Sequence, residues 1–522
     1  MAAVFCRFMA STSPLARDPS KLFFQADHVR RSIISAYWLI IILALPLWWH
    51  TTSIERLSLP TVRVTEQTRH GLRIPVSVGL ERDPDVSISA SQLQNSVDAL
   101  VRKTPQRWEG LDIRILETRS EDVEHVEGLY TVVSGNEVAV RGRELEFPIR
   151  GGPTISGLAD TLGALIAPLA STTEQDHRVA QYSPHYRLSF TLLNEDAAAG
   201  HFYTEWDVLD AISRHISPIL SQLETLHDFT IESQVQFHAP LAFSPRQIND
   251  GFGITPEDLT VFVNSAEWTL SSSASNDPVL HFVVFVPSAA RRPLHILDSN
   301  GDMTSSTSFL LPQWGGIVIL NPQEWTVPSK LPSSDLDPVF SAFSNHLLSL
   351  LGVPRLPPGV KNAGHNHHAL TDWQLDALLR YRAMSNAQGS KDTLKSIVNL
   401  VNQIENMPVG QDVRGDIQGA LASLEQMLDV SKTSLTETFR LSARAVTLSS
   451  RAFFNPGMLA LLYFPAEHKY AVYTPLFASA VIPLFVAALR ELASWRRQRK
   501  ERARQVHAAS EKVEGSQSSA AT

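Results

Sequence analysis

Two uncharged apolar segments, one near each end, constrain this chain more than anything between them. From Ser32 to Ile54 there is no Asp, Glu, Lys or Arg, and residues 32–49 read SIISAYWLIIILALPLWW. That run approaches the roughly 20 residues needed to cross about 30 Å of hydrocarbon. Tyr37 and Trp38 near one end and Trp48 and Trp49 at the other suit the two membrane interfaces. Bulky LPLWW does not offer the small residues of a signal-peptide cleavage site, so an uncleaved anchor is expected. The second segment, Tyr470 to Leu489, reads YAVYTPLFASAVIPLFVAAL without a charge. Pro475 and Pro483 would break a soluble helix but are tolerated in a span, where neighbouring groups re-satisfy the freed carbonyls.

Lys and Arg near the spans set the expected orientation. Arg7, Arg17, Lys21, Arg30 and Arg31 precede the first, and Arg490, Arg496, Arg497, Arg499, Lys500, Arg502 and Arg504 follow the second. The inner flanks are thinner, with Arg56, Arg63 and Arg69 on one side and Arg451 and Lys469 on the other. Both termini are therefore expected in the cytoplasm, with everything between the spans on the far side. The tail to Arg31 holds five bases and two acids and the tail from Arg490 eight bases and four acids. Against a total of −8, the residues between carry −15. That acidity argues against a nucleic-acid partner, which asks for a basic footprint. Basic tails beside spans fit topology and anionic headgroups instead.

At 522 residues and 43% hydrophobic, the chain can bury a sizeable core. Its single cysteine, Cys6, excludes an intramolecular disulfide and a Cys-based zinc cluster. The far-side portion must stand on its own packing. It also contains no N-x-S/T acceptor, so N-glycans are not expected.

Residues 83 to about 352 alternate between helical and strand periods. Helices are expected over Ala90–Arg102, Ile155–Leu169, Tyr203–Leu223 and Val339–Leu351. Strands are expected at Leu111–Ile115, Arg187–Leu193, Phe229–Phe237, Leu294–Leu297 and Gly316–Leu320, with a hairpin of Leu129–Val133 and Glu137–Arg141. The run VLHFVVFV, Val279–Val286, reads as a centrally buried strand. After Leu356-Pro357-Pro358-Gly359 the texture becomes helical to about Ser450, with apolar faces at Leu394, Ile397, Val398 and Val401 and at Val413, Ile417, Leu421, Leu424 and Leu428. The fold class is therefore α/β: a large mixed-sheet domain with a C-terminal helical region, flanked by two transmembrane helices.

Signs of catalysis are weak. Cys6 precedes the first span, and G-x-S-x-G, G-x-x-x-x-G-K-[ST] and H-E-x-x-H are absent. His365, His367 and His368 suit a metal by residue type, against a plain reading as a solvated linker. Asp298-Ser-Asn300-Gly-Asp302 begins like a calcium loop, but its glycine is misplaced and no glutamate follows, so a tight turn is expected. Asp207, Asp210, Glu224 and Glu232 could supply an acid–base pair, yet with 53 carboxylates in the chain that has no specificity. No catalytic, cofactor-binding or metal residue is assigned, and no cofactor is expected.

Around the second span the chain reads FFNPGMLALLYFPAEHKYAVYTPLF, residues 453–477. This closely resembles the C-terminal signature of the PIG-S family of glycosylphosphatidylinositol (GPI) transamidase subunits. LPLWWHTTSIERLSLP (45–60), WGGIVILN (314–321) and TDWQLDALLRYRAMSN (371–386) are similar to the same family in the same order. The resemblance implies a non-catalytic, structural subunit in the endoplasmic reticulum membrane. Its partners would be the other transamidase subunits, including a caspase-like catalytic one, with precursor protein and GPI lipid met through the complex. In those terms the expected layout is a cytoplasmic tail 1–31, span 32–53, lumenal α/β domain 54–360, lumenal helical region 361–452, juxtamembrane segment 453–469, span 470–489 and basic cytoplasmic tail 490–522. A membrane-tethered lumenal hydrolase acting alone is the alternative.

Overall fold

A computed structural model of the protein describes residues 26–52, 56–81, 88–118, 128–148, 155–168, 178–200, 202–270, 275–322, 329–363, 369–404, 407–459 and 466–518. These fall into two compact units, one built from Leu59–Leu400 and Asp412–Phe453, the other from Met1–Ser58, Val401–Gln411 and Phe454–Thr522.

The larger unit holds two main sheets. The first contains β1 (Ile74–Glu81), β2 (Leu111–Thr118), β3 (Tyr130–Ser134), β4 (Ala139–Arg141) and β5 (Glu144–Phe147), plus the short strand Lys361–Asn362. Their order is Lys361–Asn362, β4, β5, β3, β1, β2. Helices α1 (Ala90–Lys103) and α2 (Ile155–Ile166) share its core, where Leu93, Val97, Leu158 and Leu162 meet Val78, Val132 and Leu145. Helix α1 starts where a capping box directs it, with Ser89 and Gln92 satisfying each other's backbone N–H. The expected hairpin is displaced by one turn. Strand β4 pairs antiparallel with β5, and β5 then pairs parallel with β3. Gly142, at φ 57°, makes the tight reversal that a β-carbon would disfavour, so the turn forms there instead of at Ser-Gly-Asn.

The second sheet has β6 (His185–Asn194), β7 (Asp228–Gln236), β8 (Val279–Val286), β9 (Ser308–Leu311) and β10 (Gly315–Ile319) in the order β9, β10, β8, β6, β7. All neighbours are parallel except the edge strand β9. The apolar run over Val279–Val286 is central and buried, as a strand covered on both faces must be. On one face Phe190 and Phe282 stack with each other and meet Phe340 and Phe343 of α3 (Ser333–Leu351). On the other, Phe285 and Ile317 pack with Phe262 and Trp268. The Trp-Gly-Gly of β10 has a steric cause. Trp314 stacks on His281 at 4.7 Å, and a β-carbon on Gly316 would lie 2.2 Å from His346 Nδ1.

Tyr203–Leu223 is not one helix. Tyr203–Trp206 is a strand paired with Ser329–Leu331, and helix begins only at Val208. Asn194 sets the extended start, since its side-chain amide bonds both the N–H and the carbonyl of Tyr203 at 2.9 Å. The helical region contributes α4 (Asp372–Gln403), α5 (Gln411–Val430) and α6 (Leu435–Phe453). The predicted faces are the buried ones: Leu394, Ile397 and Val401; Val413, Ile417, Leu421 and Leu424.

In the smaller unit, helix Asp27–Thr52 and helix Ala466–Ser518 are each long and apolar enough to cross a membrane. Arg30 and Arg31 both pair with Glu491, while Trp48 meets Tyr473 at 5.8 Å and Phe477 at 5.4 Å. Rising numbers in one helix meet falling numbers in the other, so the pair is antiparallel. Leu43, Leu47, Leu476 and Ile482 are exposed, an apolar exterior that water would not tolerate but lipid would.

Candidate functional site

Open parallel sheets bind ligands beyond their carboxyl ends, where the strand order reverses. In the second sheet that point lies between β6 and β8. Here the polar groups are committed to other groups of the chain, mostly backbone. Glu195, buried at 4% exposure, accepts from the Ser288 N–H at 2.7 Å and from Arg291 Nη1 at 2.5 Å, and its own N–H donates to the Val286 carbonyl. Asn194 holds Tyr203 and the Gln236 carbonyl, and Asn321 holds both backbone groups of Leu294. These hydrogen bonds commit the polar groups at the crevice to the fold itself.

The carboxylates singled out by sequence do not converge by any hydrogen bond among the described residues. Asp207 pairs with Lys330, Asp210 with Arg214 and Glu232 with Arg187, and Glu224 is exposed. Asp298 is a turn residue. Its Oδ1 accepts from the N–H groups of Asn300 at 2.8 Å and Asp302 at 2.9 Å, and these bonds hold its carboxyl below the usual range. Among the described residues no three His, Cys, Asp or Glu side chains gather as a metal site. Cys6, His365, His367 and His368 lie outside the described residues.

What the fold does assemble is a clamp on α4 that the sequence did not announce. Trp373, Asp376 and Arg380 share one helical face and meet the first sheet. Trp373 sits 4.3 Å from the Tyr130 ring. Asp376, at 3% exposure, accepts from the Tyr130 hydroxyl at 2.7 Å and from both Nε (2.8 Å) and Nη2 (3.1 Å) of Arg143. Arg380 Nη1 donates to the Tyr130 oxygen at 2.6 Å and Nη2 to the Ile166 carbonyl at the end of α2. Burial pushes the Tyr130 phenol well above its ordinary value, and the Asp376 carboxylate strengthens the charge on Arg143. Arg382 lies two residues on, about 200° round the helix. It donates to the Leu351 carbonyl at 3.0 Å, at the end of α3, and toward Ala180. One helix thus grips both sheets through the carboxyl ends of their helices, where cations oppose the dipole. A helix buried all round is the signal that would have found it: apolar residues on every side of Leu375–Ala387 leave Asp376, Arg380 and Arg382 nowhere to go but inside.

Beside this clamp opens a cleft of about 450 Å³ between the ends of α2 and α3. Arg107, Arg178 and Arg355 line it, with Pro168, Pro354 and Pro357. Arg107 is anchored, donating to the carbonyls of Ala167 at 2.7 Å and Gly163 at 2.8 Å, and burial lowers its pKa.

Comparison with known proteins points to one family over most of the chain. The family described as Phosphatidylinositol-glycan biosynthesis class S protein matches residues 35–498. A human protein named GPI-anchor transamidase component PIGS is 30% identical, covering 88% of this chain and 95% of its own length. The fission yeast (Schizosaccharomyces pombe) GPI transamidase component PIG-S homolog is 29% identical over 90% of this chain and 85% of its own. In Saccharomyces cerevisiae, GPI transamidase component GPI17 is 24% identical over 90% and 93%.

Proposed function

The chain belongs to the PIG-S family, and from that premise we propose that it is a structural, non-catalytic subunit of a GPI transamidase complex in the endoplasmic reticulum membrane. The observation that carries this reading is the family match over residues 35–498, from the first apolar helix through the second. The relatives it resembles are themselves named as components of that machine. Such a complex joins a precursor protein's new carboxyl end to a GPI lipid, and its cysteine nucleophile would come from a caspase-like partner. Cys6 is this chain's single cysteine, and it precedes the first span.

The antiparallel pairing of the two apolar helices supports a two-pass topology. Arg30 and Arg31 meet Glu491 at one end, beside the densest bases of the chain, so by the positive-inside rule that end faces the cytoplasm and residues 54–469 face the lumen. The spans would pack with those of other subunits by close van der Waals contact and interhelical hydrogen bonds.

The test is a pull-down from mild detergent through a tag on the C-terminal tail. Recovery of a caspase-like cysteine protease homologue with other membrane subunits in near-equal amounts is the expected result. A chain that emerges alone and monodisperse would overturn the subunit reading. Protease protection of intact microsomes tests topology separately: both tails should be cut from outside and the middle spared.

A further inference from the structure

We propose that the cleft between the ends of α2 and α3 is a binding site for a phosphate ester. Among the described residues the cleft's lining contains three guanidinium groups and no carboxylate, in a region between the spans that carries −15. A cationic concavity inside an acidic domain focuses field on an incoming anion. Asp160 acts on Arg107, opposing the effect of its burial.

The three arginines are not equivalent. Arg107 closes the end of α2 and presents the cleft with a fixed wall. Arg382 lies behind Gly352, its Nη2 3.7 Å from where a β-carbon there would stand, and closes the end of α3. The carbonyls of both helix ends are therefore covered by cations, so the helix dipoles do not repel an anion from the cleft. Arg178 and Arg355 are exposed, and no side-chain hydrogen bond or ion pair engages either among the described residues. Their planar forks match phosphate oxygens two at a time. The volume exceeds what a bare ion fills and falls at the lower end for small-molecule sites, which leaves room for an organic body against Pro168, Pro354 and Pro357.

Shared phosphate chemistry admits a free metabolite or a lipid headgroup, and the experiment separates them. The full-length chain is purified in neutral detergent and titrated with inorganic phosphate and with glycerol phosphate, following binding by calorimetry. Saturable binding of glycerol phosphate is expected, tighter than inorganic phosphate and displaced by sulfate but not by chloride at equal ionic strength. The double variant R178Q/R355Q should lose at least tenfold in affinity with its unfolding midpoint unchanged, since both side chains are exposed. R355K should fall between. The same titration in nanodiscs names the source. If phosphatidylinositol in the disc suppresses glycerol phosphate binding and phosphatidylcholine alone does not, the site takes a headgroup; if neither suppresses it, a soluble ester. Absence of saturable binding, or equal binding by the double variant, overturns the proposal. None of these readouts depends on membership of a complex, so a failed pull-down and a failed titration remain distinct results.

Discussion

Helix α4 holds two sheets by two different electrostatic devices. Toward the first sheet a buried carboxylate, Asp376, balances the partly exposed Arg143 directly and the buried Arg380 through the Tyr130 hydroxyl, which accepts from Arg380 and donates to Asp376. Toward the second sheet Arg382 has no carboxylate partner among the described residues. It rests on the carbonyls of Leu351 and Ala180, and burial lowers its pKa. A buried ion pair is intolerant of losing one member, whereas a cation on a helix end is held by partial charges that water can replace. The difference teaches where this fold is brittle. The two sides also differ in their buried histidines. His281 lies on β8, His346 on α3 and His227 just before β7, and burial lowers each to about 4.

Acid should therefore break the second side first, and this is the largest expected effect. A histidine whose folded pKa lies below its unfolded value near 6.5 binds its proton more readily when unfolded. Stability is thus intact above pH 6.5, falls as pH drops toward 4, and levels off below that. Each histidine contributes at most about 1.4 kcal/mol per pH unit within that window. Hydrogen exchange at pH 7 and pH 5 should show protection lost at β6, β7 and β8 before β1 and β3. Equal loss on both sides would remove the distinction.

Substitution at the carboxylate comes next. Asp376→Ala strips the Tyr130 hydroxyl and Arg143 of their shared acceptor and the buried Arg380 of the carboxylate linked to it through Tyr130, and should cost about 3–5 kcal/mol in denaturant unfolding of the full chain. A cost below about 1 kcal/mol would mean that water or movement of Arg143, which is partly exposed, compensates. The arginines sharpen the contrast further. Arg380→Met should cost about 2–3 kcal/mol, because the Tyr130 hydroxyl loses its charged donor and the Ile166 carbonyl its cap. Arg382→Met should cost about 1 kcal/mol, because it strands only carbonyls. Reversal of that order would put the brittle side on the second sheet.

The smallest effect concerns the sheet edges. On β2, the Gln94 amide accepts from the Ile115 N–H at 2.8 Å and donates to the Ile113 carbonyl at 3.2 Å, occupying the free edge as a strand would. No such side chain bonds the outer edge of β7 among the described residues. Gln94→Ala should lower stability by about 1 kcal/mol and raise amide exchange at Ile115, with β7 unchanged.

Much of this architecture was legible because its cause is local. The spans are set by hydrocarbon thickness, α1 by Ser89 and Gln92, and β8 by an apolar run that only a doubly covered strand can use. The misplaced hairpin and the strand at Tyr203 failed because longer-range contacts decided them: Gly142 allowed β5 to enter between β4 and β3, and Asn194 held Tyr203 extended across nine residues. The candidate site was the least legible. The sequence stretch TDWQLDALLRYRAMSN marked a helix, but nothing in it told that Asp376 would meet Tyr130, 246 residues earlier.

By itself the sequence determined the two apolar helices, the charge asymmetry around them, the mixed α/β character and the family, since each depends on composition or on period along one element. The tertiary structure alone decided that Asp376, Arg380 and Arg382 turn inward, that Glu195 and Asn194 are spent on the fold's own groups, and that Arg107, Arg178 and Arg355 line one cleft. A buried polar group is tolerable only when its partner is delivered from elsewhere in the chain, and that delivery is a property of packing, not of spacing.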